Sequence, residues 1–225
     1  VNEERTIQLL GQEAVDRLHQ VRVILFGVGG VGGWCAEALV RTGVQHLTIV
    51  DFDVVSATNI NRQVVATAEN VGKSKVEEMR CRLLSINPEA DIVVINDKYV
   101  PMQDGAEINP AFDLNQYDYV IDAIDSLDCK VDLIYRATQS TATLFSSMGA
   151  ARKVDVSQIR TTEFWKVNGC PLARALRTRM KKENKLPAKR FQVVYSPELS
   201  ADAGTLAPVV GIFGFTLANL VIQSI

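Results

Sequence analysis

Residues 22–30, RVILFGVGG, stay apolar until they run into glycines. An uninterrupted apolar run closed by turn residues predicts a strand buried on both faces. GWCAEALVRTG (33–43) then reads as a helix with Gly43 as its C-cap, and HLTIVD (46–51) as a second buried strand. In KSKVEEMRCRLLSINP (73–88), Val76, Met79, Leu83 and Ile86 share one helical face and Pro88 follows the end. DIVVI (91–95) predicts a third strand and YDYVIDAID (117–125) a fourth that ends in carboxylates. KVDLIYRATQS (130–140) predicts a helix and ATLFSS (142–147) a fifth strand. Strands alternating with helices predict an α/β, Rossmann-like, doubly wound and mainly parallel sheet. After residue 150 the rhythm changes. QIRTTEFWKV (158–167) and RFQVVYS (190–196) read as strands without a helix of the earlier kind on each side. They are expected to extend the sheet with antiparallel strands in the C-terminal third. The expected organisation is a single domain, with a core over 1–150 and an elaboration plus C-terminal helix over 151–225.

At 225 residues and 47% hydrophobic, the chain is long enough to bury a substantial core. A net charge of −2 excludes a uniformly basic nucleic-acid binder, but the charge is unevenly spread. Between 174 and 190 stand Arg174, Arg177, Arg179, Lys181, Lys182, Lys185, Lys189 and Arg190 against Glu183 alone, so this segment carries +7 and the remainder −9. A basic stripe on an acidic chain is the electrostatic footprint of a polyanion site. The alternative is a solvated helix whose Leu172, Leu176 and Met180, recurring every fourth residue, pack inward.

The four cysteines, Cys35, Cys81, Cys129 and Cys170, form no CxxC pair and no disulfide framework. With no signal-peptide pattern, a cytoplasmic, reduced setting is expected. PVVGIFGFTLANLVIQSI (208–225) is apolar but interrupted by Gly211, Gly214, Asn219 and Gln223. A membrane span needs about 20 predominantly apolar residues. A buried core helix is expected, with peripheral membrane association as the alternative.

Gly27, Gly29 and Gly32 form GxGxxG between the first strand and the first helix, and Asp51 follows at the end of the next strand. Such glycines let backbone approach a phosphate at a helix N-terminus, and the aspartate can accept hydrogen bonds from ribose hydroxyls. The motif alone does not choose among NAD, FAD and ATP. The two histidines, His19 and His46, flank predicted strands and read as structural, which leaves alcohol oxidation without its usual proton acceptor. Asn59, Arg62 and Gln63 follow the second strand, Lys75 opens a helix, and Asp125 ends the fourth predicted strand. The carboxyl ends of strands in such a sheet converge on one crevice. Arg62 and Lys75 there would neutralise phosphate charge, and Asp125 would hold Mg²⁺, which prefers one or two carboxylates plus phosphate oxygens. Each of these residues taken singly has a bland alternative as a solvated lysine or a surface ion pair.

GVGGVGGWCAEAL, DFDVVSATNINRQ, VGKSKVE and DAIDS together resemble the adenylating enzymes of the ThiF, MoeB and ubiquitin-activating superfamily. The resemblance implies ATP as substrate with Mg²⁺, and an ATP-binding set of Gly27, Gly29, Gly30, Gly32, Asp51, Asp53, Asn59, Arg62, Gln63 and Lys75. It implies Asp125 as the metal-linked aspartate. ERTIQLLG (4–11) resembles the element that supplies an arginine to the neighbouring subunit, which implies a homodimer and a catalytic role for Arg5 beside Arg62, Lys75 and Asp125. Two zinc-binding CxxC pairs, frequent in the sulfur-carrier and ubiquitin-like activators, are absent from the sequence, so no zinc is expected.

SMGAARKVDVSQIRTTEFWKVNGCPLARALRTRMKK (147–182), VVYSPE (193–198) and GIFGF resemble the tRNA threonylcarbamoyladenosine dehydratase branch. That branch implies adenylation of a threonyl carboxylate beside the tRNA anticodon, followed by ring closure from the carbamoyl nitrogen with AMP leaving. It also implies tRNA as partner through the basic 174–190 segment, and a cysteine desulfurase and sulfur-acceptor system as a further partner. Val193 and Val194 stand where some relatives carry a cysteine, and the stretch between Ser196 and Pro208 is short for the branch. The other readings are activation of a small carrier protein's C-terminus, an NAD-dependent oxidoreductase, and an ATP-sensing module without turnover.

Overall fold

The computed structural model describes residues 2–101 and 112–225. Two short helices, α1 (Glu4–Leu10) and α2 (Gln12–Gln20), precede the glycine-loop unit of β1 (Arg22–Phe26), α3 (Gly30–Thr42) and β2 (His46–Val50). Then come α4 (Lys75–Ile86), β3 (Asp91–Ile95), β4 (Tyr119–Asp122), α5 (Leu127–Gln139) and β5 (Thr143–Ser147). The C-terminal third holds β6 (Arg160–Glu163), α6 (Pro171–Lys182), β7 (Gln192–Tyr195) and α7 (Ala207–Ile222).

All seven strands join one sheet in the order β3-β2-β1-β4-β5-β7-β6. The first six in that order run parallel, and β6 pairs antiparallel with β7. The sheet is thus extended by the two late strands as expected, with the reversal confined to β6. Chain order reverses direction across the sheet between β1 and β4, and in a doubly wound sheet that switch point opens a crevice at the strand carboxyl ends. The register there sets Phe26 opposite Val50 on one side and Asp122 on the other.

Alternate β1 residues face opposite sides. Val23 and Leu25 pack into the core under α3, α4 and α7, while Ile24 and Phe26 pack into the core under α5 and α6. This two-sided burial is why the strand reads as a continuous apolar run. The C-terminal apolar segment is a core helix. α7 lies against α3 so closely that a Cβ on Gly214 would come within 2.5 Å of the Val31 carbonyl oxygen. Among the described residues no helix is long and apolar enough to cross a membrane.

The fourth strand ends earlier than its sequence pattern predicts. β4 stops at Asp122, so Asp125 stands in the loop before α5 instead of at the strand end. The cause is a buried anchor. Asp122 accepts from Ser146 Oγ at 2.7 Å and from the Ile124 amide at 3.1 Å, and it pairs with Lys130 Nζ at 2.8 Å. Lys130 also donates to the Ile124 carbonyl at 3.0 Å, turning the chain away from the sheet.

Candidate active site

The switch point opens into a crevice of about 520 Å³. Its floor is the glycine loop. The Gly27 amide donates to the Val50 carbonyl at 2.8 Å and the Ala123 amide to the Phe26 carbonyl at 2.9 Å, so the loop is continuous with the ends of β2 and β4. Gly27 has φ +90°, and a Cβ there would meet the Ala123 carbonyl oxygen at 2.7 Å. Gly32 lies beneath the floor, where a Cβ would sit 1.8 Å from the Gly27 carbonyl oxygen. It does not face the crevice, and its smallness is what lets α3 close on the loop.

Gly27, Gly29, Gly30, Asp51, Asp53, Asn59, Arg62, Gln63, Lys75 and Asp125 all line this one space. Asp51 Oδ2 accepts from the Val28 amide at 2.7 Å and Oδ1 from the Asp53 amide at 2.9 Å. Each oxygen keeps a further lone pair, so the carboxylate is oriented and can still accept. The segments carrying Asp53 and Lys75 are zipped together by a bridge between Val54 and Ser74 and by the Lys75 amide bonding the Asp53 carbonyl at 3.0 Å. This places Lys75 Nζ 2.8 Å from Asp53 Oδ2, with the lysine side chain 6% exposed. A buried ammonium with one carboxylate partner at a crevice wall can exchange that partner for a phosphate oxygen.

Asn59 closes a capping box with Ser56, accepting from its amide at 3.1 Å. Arg62 Nη1 donates to the Thr58 carbonyl at 2.7 Å and to Asn61 Oδ1 at 2.9 Å, which braces the guanidinium beside the crevice. Gln63 Oε1 is buried in the same wall without a hydrogen-bond partner among the described residues. A buried acceptor left unmade is costly, so this wall offers a place for a ligand donor. Nucleotide hydroxyls and a triphosphate match these groups: acceptors at Asp51 and Gln63, cations at Arg62 and Lys75, and open backbone at the glycines.

Sequence reasoning passed over the far wall and its supports. Ser147 at the end of β5 and Met148, Gly149 and Ala150 after it, together with Leu172 of α6 and Thr205, complete the crevice. Burial pushes the Lys153 ammonium below its ordinary pKa, and its Nζ donates to the Glu198 carbonyl at 2.6 Å. The Glu198 carboxylate accepts from the Val154 and Asp155 amides, the latter at 2.9 Å. Arg152 adds bonds to the Ser200 and Ala201 carbonyls, and Asn61 Nδ2 donates to the Thr205 carbonyl at 3.1 Å. The 197–205 stretch is thereby clamped over the site. The fully buried Asp122 and Lys130 stand behind Asp125. A lysine in an otherwise apolar helix face, SLDCKVDLI, was the sequence signal for this pair.

Arg5 lies exposed on α1 and does not line the crevice of its own chain. His19 pairs with Glu3 at 2.8 Å and His46 with Asp91 at 3.4 Å, both away from the crevice. In the basic segment, four of the eight cations have internal partners. Arg179 pairs with Asp128 at 2.8 Å and with Glu183, Lys185 with Asp132 at 2.9 Å, and Lys189 donates to the Ser140 carbonyl. Arg177 donates through Nη2 to the Phe164 carbonyl and to the Val167 carbonyl at 2.8 Å, and lies over the Phe164 ring at 5.3 Å. Arg174, Lys181, Lys182 and Arg190 are exposed. On the opposite face Ala173, Leu176 and Met180 are buried, so α6 has both the inward packing and the charged face that its spacing allowed.

Residues 2–225 match the model of the ThiF family, and the chain belongs to that family. The tRNA threonylcarbamoyladenosine dehydratase of Bacillus subtilis is 37% identical over 189 residues, covering 84% of this chain and 72% of that protein. The crystal structure of the Escherichia coli tRNA N6-threonylcarbamoyladenosine dehydratase in complex with ATP superposes with a TM-score of 0.88 at 33% identity, covering 99% of this chain and 92% of that one. Its complex with AMP gives a TM-score of 0.89 at 33% identity, with 98% and 92% covered.

Proposed function

We propose that this ThiF-family chain is an ATP-dependent tRNA threonylcarbamoyladenosine dehydratase. It adenylates the threonyl carboxylate of threonylcarbamoyladenosine beside the anticodon and cyclises it with the net loss of one water. The observation that carries the reading is the convergence of the glycine loop, Asp51, Arg62, Lys75 and Asp125 on one crevice whose far wall includes Leu172 in the first turn of the basic helix α6. The identity to relatives of that activity, and their ATP and AMP complexes, support it.

The chemistry asks for cations and no side-chain nucleophile in the first step. A carboxylate oxygen of the substrate attacks the α-phosphorus of ATP, the bond to the bridging oxygen breaks, and pyrophosphate leaves. The carbamoyl group then attacks the acyl carbon, loses its proton to solvent and expels AMP. Asp51 takes the ribose hydroxyls, and the glycine-loop amides at the start of α3 take phosphate oxygens. Lys75 gives up Asp53 for the triphosphate, and with Arg62 it stabilises the charge that develops as pyrophosphate departs. Mg²⁺ supplies further charge neutralisation on the phosphates, and Asp125 is the residue that would hold it. A single carboxylate suits a metal bound mainly by phosphate oxygens.

Arg5 serves the crevice of a second copy, which makes the homodimer the active unit. Residues 1–150 form the ATP-binding core, and 151–225 contribute the RNA-facing wall and α7. The test is AMP formation from ATP with tRNA carrying threonylcarbamoyladenosine, beside the same tRNA lacking it. AMP made only with the modified tRNA, together with a mass loss of one water from the nucleoside, establishes the reading. AMP formation that ignores the modification rejects it.

A further inference from the structure

A second cavity, of about 260 Å³, opens beside the first turns of α6. The 167–170 loop forms one wall, and Arg174, Arg177, Thr178 and Lys181 form the other. Among the described residues no carboxylate lines it. Residues three, four and seven apart share a helix face, so these cations are brought together by helical spacing. Three like charges around one concavity repel each other unless an anion enters.

Internal contacts fix the walls. Arg177 is anchored on the Phe164 and Val167 carbonyls, and its buried Nε has no hydrogen-bond partner among the described residues. Gly169 has φ +68° and packs so tightly on the next segment that a Cβ would meet Pro197 at 2.9 Å. α6 starts with Pro171, and its N-cap Cys170 supplies no side-chain cap. Leu172, in the same first turn, lines the nucleotide crevice. One helix thus borders both cavities.

We propose that this cavity is a phosphate subsite that takes one backbone phosphate of the RNA whose modified nucleoside enters the nucleotide crevice. The assignment rests on the tRNA-modifying reading. The charged groups offered are the Arg174 guanidinium, the Lys181 ammonium and the Nε edge of Arg177, with the Asn168 carboxamide beside them, while the Thr178 hydroxyl donates to the Arg174 carbonyl at 3.1 Å. A phosphodiester is the acceptor-rich anion that matches them, and such contacts position RNA without reading its sequence. Arg179 and Lys185 are paired with carboxylates and Lys189 with a carbonyl, so of the stripe's exposed cations without such partners Arg174 and Lys181 face this cavity and Lys182 and Arg190 lie outside its lining.

The test compares Arg174→Gln, Lys181→Gln and the double variant with Lys182→Gln, a lysine exposed on the same helix but outside the cavity lining. AMP formation with modified tRNA gives KM at several salt concentrations, and a thermal shift with ATP reports folding. The double variant is expected to raise KM for tRNA about tenfold and to reduce the slope of log KM against log salt by about 1. Lys182→Gln is expected to cost less than either single cavity variant. Equal losses at all three positions would mean a diffuse field and overturn the subsite. Unchanged KM and slope, with wild type turning over tRNA, would overturn the subsite and leave the enzyme reading standing. A wild-type protein that makes no AMP with modified tRNA rejects both. Inorganic phosphate supplies the other arm. If it stabilises wild type but not the double variant while KM for tRNA stays the same, the cavity takes free phosphate and the RNA assignment falls.

Discussion

Lys130 Nζ lies 2.8 Å from Asp122 Oδ2, and both side chains are completely shielded from solvent. The pair sits behind the loop that carries Asp125, and Lys130 also holds the Ile124 carbonyl at 3.0 Å. Removing one member of a buried pair strands the other charge and costs about 3–5 kcal/mol. Lys130→Met is therefore expected to lose stability in that range by urea unfolding, and to lower pyrophosphate release by slackening the Asp125 loop. The double variant Lys130→Met with Asp122→Asn is expected to recover part of the stability, because no buried charge is left alone. Asp125 is exposed, so Asp125→Ala should keep the wild-type unfolding midpoint and lose pyrophosphate release. A Lys130→Met protein as stable as wild type would reject the anchoring role.

The same pair marks where the chain's pattern stops being readable. The β1 strand, the glycine loop and α3 were legible because an apolar run, GxGxxG and a glycine C-cap are local signals. The end of β4 was not, since YVIDAID stays apolar and acidic past Asp122. What ends the strand is a lysine eight residues onward and a serine from β5. The basic run of 174–190 was equally visible as composition. Its partners, Asp128 and Asp132, lie on α5 and are brought near only by the packing of α5 against α6. The short α1 and α2 offer few apolar positions to read, since α1 buries no residue and α2 only Val15 and Leu18.

Arg177 has two roles on its two edges: its Nε borders the second cavity, while its Nη2 ties α6 to the Phe164–Val167 turn through two carbonyls and the guanidinium rests on the Phe164 ring. A lysine ammonium cannot reproduce that planar, two-carbonyl, stacked contact. Arg177→Lys is expected to destabilise the protein by about 1–3 kcal/mol by leaving buried acceptors unmade. Lys181→Gln is expected to leave the unfolding midpoint unchanged. Differential scanning of the two variants checks this, and equal midpoints would return Arg177 to the set of free surface cations.

Glu37 of α3 is buried and receives Arg41 at 2.8 Å and Arg82 at 2.6 Å. Burial pushes its carboxyl upward, but the hydrogen bonds from Arg82 and Arg41 and their charges outweigh this, and the net pKa is lowered. A carboxylate whose folded pKa is depressed contributes stability that is present above the unfolded value, about 4.3, and is lost as pH falls through the folded value. Glu37→Gln is expected to cost about 1–3 kcal/mol near pH 7, a drop of several degrees in Tm for a chain of this size. The Tm gap between wild type and variant should hold down to about pH 5 and close as the pH falls below the unfolded value. A gap independent of pH from 7 to 3 would mean that packing, not the charge, is what Glu37 contributes.

Arg5 stands exposed on α1, outside its own crevice, whereas Lys75 is buried in the crevice wall. If Arg5 acts on the second copy's ATP, each site is built from Lys75 of one chain and Arg5 of the other. Arg5→Ala and Lys75→Ala proteins should then each lack adenylation activity when measured alone. Mixed in equal amounts and allowed to exchange, half of the dimers are heterodimers, and each has one site with both residues intact. The mixture is therefore expected to regain about a quarter of wild-type AMP formation, the statistical share for a two-fold symmetric dimer. Arg5→Ala should still bind ATP in a thermal shift, because the groups that hold the nucleotide belong to the other chain. A mixture as inactive as its components, with exchange verified by a size-tagged copy, would place Arg5 outside the reaction. Full activity of Arg5→Ala alone would do the same without any mixing.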